Sequence, residues 1–167
     1  PEGVRLTAAD RSAHRAELVR RALGDAPDAE VLVADGREPP WPPDAFDRVL
    51  LDAPCTGLGA LRRRPEVRWR RTDADVPPLV ELQTALLDAA VRSVRPGGVV
   101  AYVTCSPHAA ETVEVADAAV GRHGLEVLPV APLFPDVPGL GRGAYAQLWP
   151  HRHGTDAMFV ALLRRVR

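Results

Sequence analysis

The chain is 167 residues long, 46% hydrophobic and 26% charged, with a formal net charge of −1. That is the size and apolar content of a single domain able to bury a core, and 17 Pro with 13 Gly, 30 of 167 residues, fall short of the share that marks disordered or low-complexity chains. The near-neutral balance excludes a protein coated in nucleic-acid-binding charge, although averages conceal local patches.

In chain order, Val4 to Ala9 reads as a short strand ending at Asp10. Ser12 can cap a helix running to about Leu23 before Gly24, because a serine hydroxyl accepts from the first unpaired amides and glycine tolerates the turn that ends a helix. Glu30 to Ala34 gives a second strand, ending at Asp35. After a proline-rich turn over 39–43, Phe46 to Leu51 forms a third strand that ends at Asp52; it is nearly all apolar, which predicts burial on both faces. Leu79, Leu82, Leu86, Leu87, Ala90, Val91 and Val94 fall at helical spacing over 79–95, and Pro96-Gly97-Gly98 is expected to stop that helix. A strand Val99 to Thr104, a helix over about 109–122, and strands near 125–130 and from Met158 to Leu163 complete the chain.

This alternation predicts an α/β fold, a mostly parallel sheet covered by helices on both faces, as one domain over 1–167. Such sheets bind ligands beyond the carboxyl ends of their strands. Four strands end in polar residues, Asp10, Asp35, Asp52 and Thr104-Cys105-Ser106, and this topology predicts that all four converge on one crevice. No run of about 18 apolar residues is long enough to cross a membrane, so a soluble, cytoplasmic protein is expected. The chain starts at Pro1 with strand-like residues close behind, and is expected to be a fragment lacking an N-terminal part.

Asp10 at a strand tip can accept hydrogen bonds from ribose hydroxyls, or belong to an ordinary strand-to-helix turn; Asp35-Gly36 is equally open. Asp52-Ala53-Pro54-Cys55 followed by Thr56-Gly57-Leu58-Gly59 says more, because it sets a carboxylate, a thiol and a tight backbone at one strand end. Gly57-Leu58-Gly59 lacks the third glycine of a dinucleotide loop. Cys105 ends the next strand, so two thiols from neighbouring strand tips can face one pocket. A disulfide is disfavoured because nothing else resembles a small secreted scaffold, and zinc because the spacing of Cys55, Cys105, His108, His151 and His153 matches no familiar ligand pattern. All 21 basic residues are arginine. Six of them, Arg62, Arg63, Arg64, Arg68, Arg70 and Arg71, form a patch that is either a phosphate-holding surface or a solvated one. Trp69 within it reads first as a packed aromatic, with base stacking as the alternative.

Asp52-Ala-Pro-Cys55-Thr-Gly-Leu-Gly59, then Arg63-Arg64-Pro65-Glu66 with Trp69, Leu82-Gln83, Pro96-Gly97-Gly98 and Tyr102-Val-Thr-Cys105-Ser106 together resemble the Sun/Nop family of RNA cytosine-5 methyltransferases, in the branch of the bacterial 16S rRNA enzymes. The likeness extends from Asp10 to Phe159, the last part through His151 to Asp156, where Ala157 replaces the usual glycine. It implies a Rossmann-like sheet of the class I S-adenosylmethionine-dependent methyltransferases, flanked by helices and here lacking its first strand and the Gly-rich loop with its lysine. Thr56 stands where Ser is commoner, and Thr112 where Asn is usual after Glu111.

The resemblance implies that Cys105 adds as a thiolate to carbon 6 of cytosine, which makes carbon 5 nucleophilic enough to take a methyl group. It assigns Asp52 to the Watson-Crick edge of the base and to the methionine part of the cofactor, and Cys55 to elimination of the adduct. S-adenosyl-L-methionine is the implied cofactor, met by Asp10 at the ribose, Asp35 near the adenine and Arg15 on the first helix. RNA, as a single strand or loop that yields an unstacked base, is the implied partner, with Arg62, Arg63, Arg64 and Arg68 on its phosphates. No metal is implied. The rival reading is a catalytically inactive RNA-binding protein that retains the fold; the retention of both cysteines with Asp52 opposes it.

Overall fold

The computed structural model describes residues 3–26, 28–141 and 143–167, which divide into two units, Pro1–Pro42 and Pro43–Arg167. In the first, strand β1 (Leu6–Asp10) lies parallel to β2 (Ala29–Val33), with Leu6 opposite Ala29 and Asp10 opposite Val33. Helix α1 (Ala13–Leu23) connects them. Ser12 caps it from an extended conformation, accepting from the Arg15 amide at 3.5 Å, and Gly24 ends it. Glu17 pairs with Arg20 and Arg21, three and four residues further on, where side chains of one helix face meet. The first strand starts two residues later than Val4, at Leu6.

The second unit holds a sheet in the order β3 (Phe46–Asp52), β4 (Val94–Thr104), β7 (Phe159–Arg164), β5 (Glu126–Leu128), with β6 (Ala146–Gln147) also on β7. Only β3 and β4 run parallel here; β7 is antiparallel to β4, β5 and β6. The mostly parallel sheet expected from the alternation is therefore mixed in this unit. Among the described residues, β5, β6 and β7 are separated only by single turns, the 3-10 turn Ala131–Leu133 and α5 (Pro150–His153), whereas a parallel connection usually carries a full crossover helix.

Between β3 and β4 runs α3 (Val76–Ser93), with prolines in its first turn where they remove no helical hydrogen bond. It buries Gln83, Leu87, Ala90 and Val91. Helix α4 (Val113–His123), preceded by a 3-10 turn over Ala109–Glu111, buries Val115, Ala116 and Ala119. The helix expected over 109–122 is thus broken near Thr112, whose hydroxyl donates back to the His108 carbonyl at 2.8 Å and competes with helical pairing. Asp88 of α3 accepts from Arg122 and contacts His123, both at 2.8 Å, joining the two helices at the end of α4. Their apolar faces meet Val94, Val100, Tyr102, Ala161 and Leu163 in one core cluster.

Two expectations fail in this region for identifiable reasons. β3 is buried on one face only: Val49 and Leu51 turn inward onto the core cluster, while Leu50 between them points to the opposite face and is 73% exposed. Pro96-Gly97-Gly98 lies inside β4 rather than stopping α3, which ends at Ser93. Phe46 pairs with Val94 and Arg48 with Val99, so the extra residues bulge out of the ladder. Gly97 supplies φ +80, and a Cβ on Gly98 would lie 2.6 Å from the Asp47 carbonyl oxygen, so the bulge needs both glycines.

Candidate active site

Parallel pairing of β3 and β4 sets Asp52 opposite Val103, and the Ala53 amide extends the ladder by donating to Val103 O at 2.9 Å. The chain leaving each strand is thereby held to the same end of the sheet. Cys55, three residues past Asp52, and Cys105, one past Thr104, bring their sulfurs to 3.4 Å, and both are free. This is hydrogen-bonding distance, well beyond the roughly 2.05 Å of a disulfide.

The pair is electrically asymmetric. The hydrogen bond with Cys55 stabilises the Cys105 thiolate and lowers its thiol to about 7, against the opposing effects of burial and of the Asp52 and Asp156 carboxylates. The same hydrogen bond, together with burial, pushes Cys55 far up. When the pair ionises, Cys105 is the sulfur favoured to carry the charge. Partial burial raises the Asp52 carboxyl, although the strand tip remains open to solvent.

A thiol lowered to about 7 is about half ionised at neutral pH, against a few per cent for an ordinary cysteine. Iodoacetamide should therefore alkylate Cys105 at a rate that rises as pH increases to about 7 and levels off above it. The sign follows from the lowered value, since the reactive thiolate is lost below it. A rate still climbing steeply between pH 8 and about 9, as for an ordinary thiol, would contradict the pairing.

The loop after Cys55 is clamped to the loop after β4. Gly59 donates its amide to Cys105 O at 2.9 Å, and its carbonyl accepts from the Ala157 amide at 2.9 Å. Glu111 is buried with four donors on its carboxyl group: the Thr56 amide and hydroxyl, Gln83 and Ser106. Arg63 donates twice to Asp156, whose side chain is 7% exposed and whose Oδ1 has no partner among the described residues. That ion pair holds Asp156 below the ordinary carboxylate range.

The arginine patch is less uniform than its sequence. Arg63 is committed to Asp156, Arg64 pairs with Glu66, and Arg71 pairs with Asp75 and donates to the Thr56 carbonyl. Arg68 lies over the Trp69 ring at 5.0 Å in helix α2 (Val67–Arg70). Trp69 is 82% exposed, which corrects the reading of it as packed: a one-turn helix carries it on a surface loop. In the first unit, Asp10 accepts from Arg15 Nε and the Ser12 amide, and Arg15 holds it below its usual range. Asp35 is held at about 2 by hydrogen bonds from Arg37. Asp10 and Arg15 are thus brought together, and Asp35 takes a partner, Arg37, that the sequence reading did not single out.

The family model described as 16S rRNA methyltransferase RsmB/F matches residues 2–164. The chain belongs to this family. A methyltransferase-named protein of Mycobacterium tuberculosis is 58% identical over 163 residues, 97% of this chain and 35% of that relative. Ribosomal RNA small subunit methyltransferase B of Xanthomonas campestris is 37% identical over 166 residues, 96% of this chain and 37% of that protein. Among solved structures, NSun6 from Pyrococcus horikoshii with SFG superposes at a TM-score of 0.80 and 27% identity, covering 98% of this chain and 42% of that one. The RsmB/F chain described here spans about a third of the length of the curated relatives it matches. Among its described residues no helix is long and apolar enough to cross a membrane.

Glu111, Gln83, Thr56, Ser106 and Asp156 were not read as site residues from the sequence. A faint signal existed, since Thr56 and Ser106 each directly follow a cysteine. Nothing local identifies the carboxyl that joins them.

Proposed function

We propose that the whole protein methylates carbon 5 of a cytosine in RNA, ribosomal RNA by the likeness to its relatives, with S-adenosyl-L-methionine as methyl donor. The observation that carries this reading is the pair of free thiols 3.4 Å apart at the tips of adjacent strands, next to Asp52. The family supports the substrate class, and the NSun6 relative was solved with SFG, an analogue of the donor. Both units are parts of one catalytic domain in this reading.

The Cys105 thiolate adds to carbon 6, forming a C–S bond and moving the ring electrons to carbon 5. Asp52, raised by its surroundings, shares a proton with the base edge as that charge develops, a form of electrostatic stabilisation. The cofactor, when bound, supplies an electrophilic methyl group to carbon 5. Transfer of the carbon 5 proton to solvent water then returns the C–H electrons to the ring, breaks the C–S bond and releases the Cys105 thiolate, with the Cys55 S–H assisting the elimination by donating to the departing sulfur. Asp10 and Asp35 suit the polar end of the cofactor because carboxylates at strand ends accept from ribose hydroxyls; the 26% exposure of the Asp10 side chain leaves it accessible for this. Arg15 orients Asp10 at 2.8 Å. Arg62, Arg64 and Arg68 hold the phosphates, Arg63 of the same run being committed to Asp156, and the exposed Trp69 ring offers a base-stacking face.

Incubating the full-length protein with tritiated S-adenosylmethionine and small-subunit ribosomal RNA should label a cytosine at carbon 5, read by nucleoside chromatography of the digested RNA. RNA binding without any transfer of label would favour the inactive, RNA-binding reading and overturn this one.

A further inference from the structure

The carboxyl group of Glu111 has no direct part in the chemistry above, yet it touches both cysteine loops. It is 0% exposed. Its Oε1 accepts from the Thr56 amide at 2.7 Å and Gln83 Nε2 at 3.2 Å, and its Oε2 accepts from Thr56 Oγ1 and Ser106 Oγ, each at 2.6 Å. Thr56 directly follows Cys55 and Ser106 directly follows Cys105. Gln83 reaches further still, donating to the Pro54 carbonyl at 2.8 Å. The Glu111 main-chain carbonyl accepts from the Tyr102 hydroxyl at 2.8 Å, which fixes the 3-10 turn against β4.

We propose that Glu111 is a positioning residue that holds Cys55 and Cys105 at hydrogen-bonding distance by tying together the residues that follow them. The proposal rests on the reading of the two thiols as the reactive pair. Burying a carboxyl group among uncharged donors is costly unless its oxygens are satisfied, and here four donors converge on two oxygens. Removing it leaves a backbone N–H, an amide and two hydroxyls in the interior without their acceptor. The Thr56 and Ser106 loops then lose their shared anchor. The Gly59 clamp to the Cys105 carbonyl stays, so the fold can survive while the sulfurs separate.

The test is Glu111→Gln in the full-length protein, read by the pH profile of Cys105 alkylation and by methylation kinetics. The groups facing Cys105 are Cys55 and Asp52 from the β3 tip, Asp156, and Arg63 from the arginine loop; Glu111 acts on Cys55 from behind. Loss of the carboxylate charge alone would ease ionisation of the thiol pair and move the profile down in pH. Loss of positioning takes away the Cys55 donor and moves it up, towards an ordinary thiol. We expect the upward shift, with kcat lowered about 100-fold and KM for RNA within about threefold of wild type. Thr56→Val and Ser106→Ala, which each remove a hydroxyl donor and leave the carboxyl group, should fall between. A folded Glu111→Gln protein with a wild-type or downshifted profile and unchanged kcat overturns the proposal. Should that variant fail to fold, wild-type profiles in both single-donor variants overturn it equally. The alkylation readout needs no RNA, so it decides on Glu111 independently; methylation that persists without Cys105 overturns only the proposed reaction.

Discussion

Cys105→Ala in the full-length protein is expected to abolish methylation, by more than about 10,000-fold, as removal of a covalent nucleophile does. Cys55→Ala is expected to do something different: methyl transfer occurs once and the protein remains bonded to RNA. The argument is the asymmetry of the pair. Cys105 is lowered to about 7 and is the sulfur able to attack, while Cys55 is pushed up and keeps its proton. Without Cys55 the Cys105 thiolate loses the S–H donor 3.4 Å away, which stabilises it as leaving group when the C–S bond breaks. The measurements are label transfer for the first variant and, for the second, a protein-RNA band that survives denaturing electrophoresis. Full activity in Cys105→Ala, or an adduct that accumulates in Cys105→Ala rather than Cys55→Ala, would end this assignment.

Gly59→Ala should be the most damaging small substitution in the site. A Cβ there would meet the Ala157 carbonyl oxygen and lie 2.7 Å from the Cys105 carbonyl oxygen and 2.9 Å from its carbon. All three are main-chain atoms, so no side chain can rotate away. The substitution must open the clamp in which Gly59 donates to Cys105 and accepts from Ala157. A cost of about 3 kcal/mol is expected, at the upper end for overpacking. Chemical denaturation of the parent and variant measures it directly. Equal unfolding midpoints would show that the two loops do not approach as closely as described.

Much of the fold was legible because its signals are local. Ser12 and Gly24 bracket α1 as their capping chemistry requires, and the apolar spacing over 79–95 located α3 to within a few residues. β4 was placed correctly at Thr104 and misjudged at its start, since Pro-Gly-Gly punctuates a helix and a bulged strand with the same residues. Burial was misread where it depended on neighbours distant in sequence. Leu50 and Trp69 are large and apolar, yet one lies on the face of β3 turned away from the core and the other on a surface turn. The antiparallel β7 was likewise out of reach, because strand direction is set by which strand a segment meets.

From sequence alone came the element types, the two strand tips that carry Asp52-Ala-Pro-Cys55 and Thr104-Cys105, and the family they resemble, all properties of short contiguous segments. Only the tertiary structure decided that the sulfurs approach to 3.4 Å, that Cys105 is lowered while Cys55 is raised, and that Glu111, Gly59 and Asp156 hold the loops around them. Of these contacts, Cys55 with Cys105 and Arg63 with Asp156 join residues 50 and 93 positions apart, and no periodicity or motif encodes a distance across a sheet.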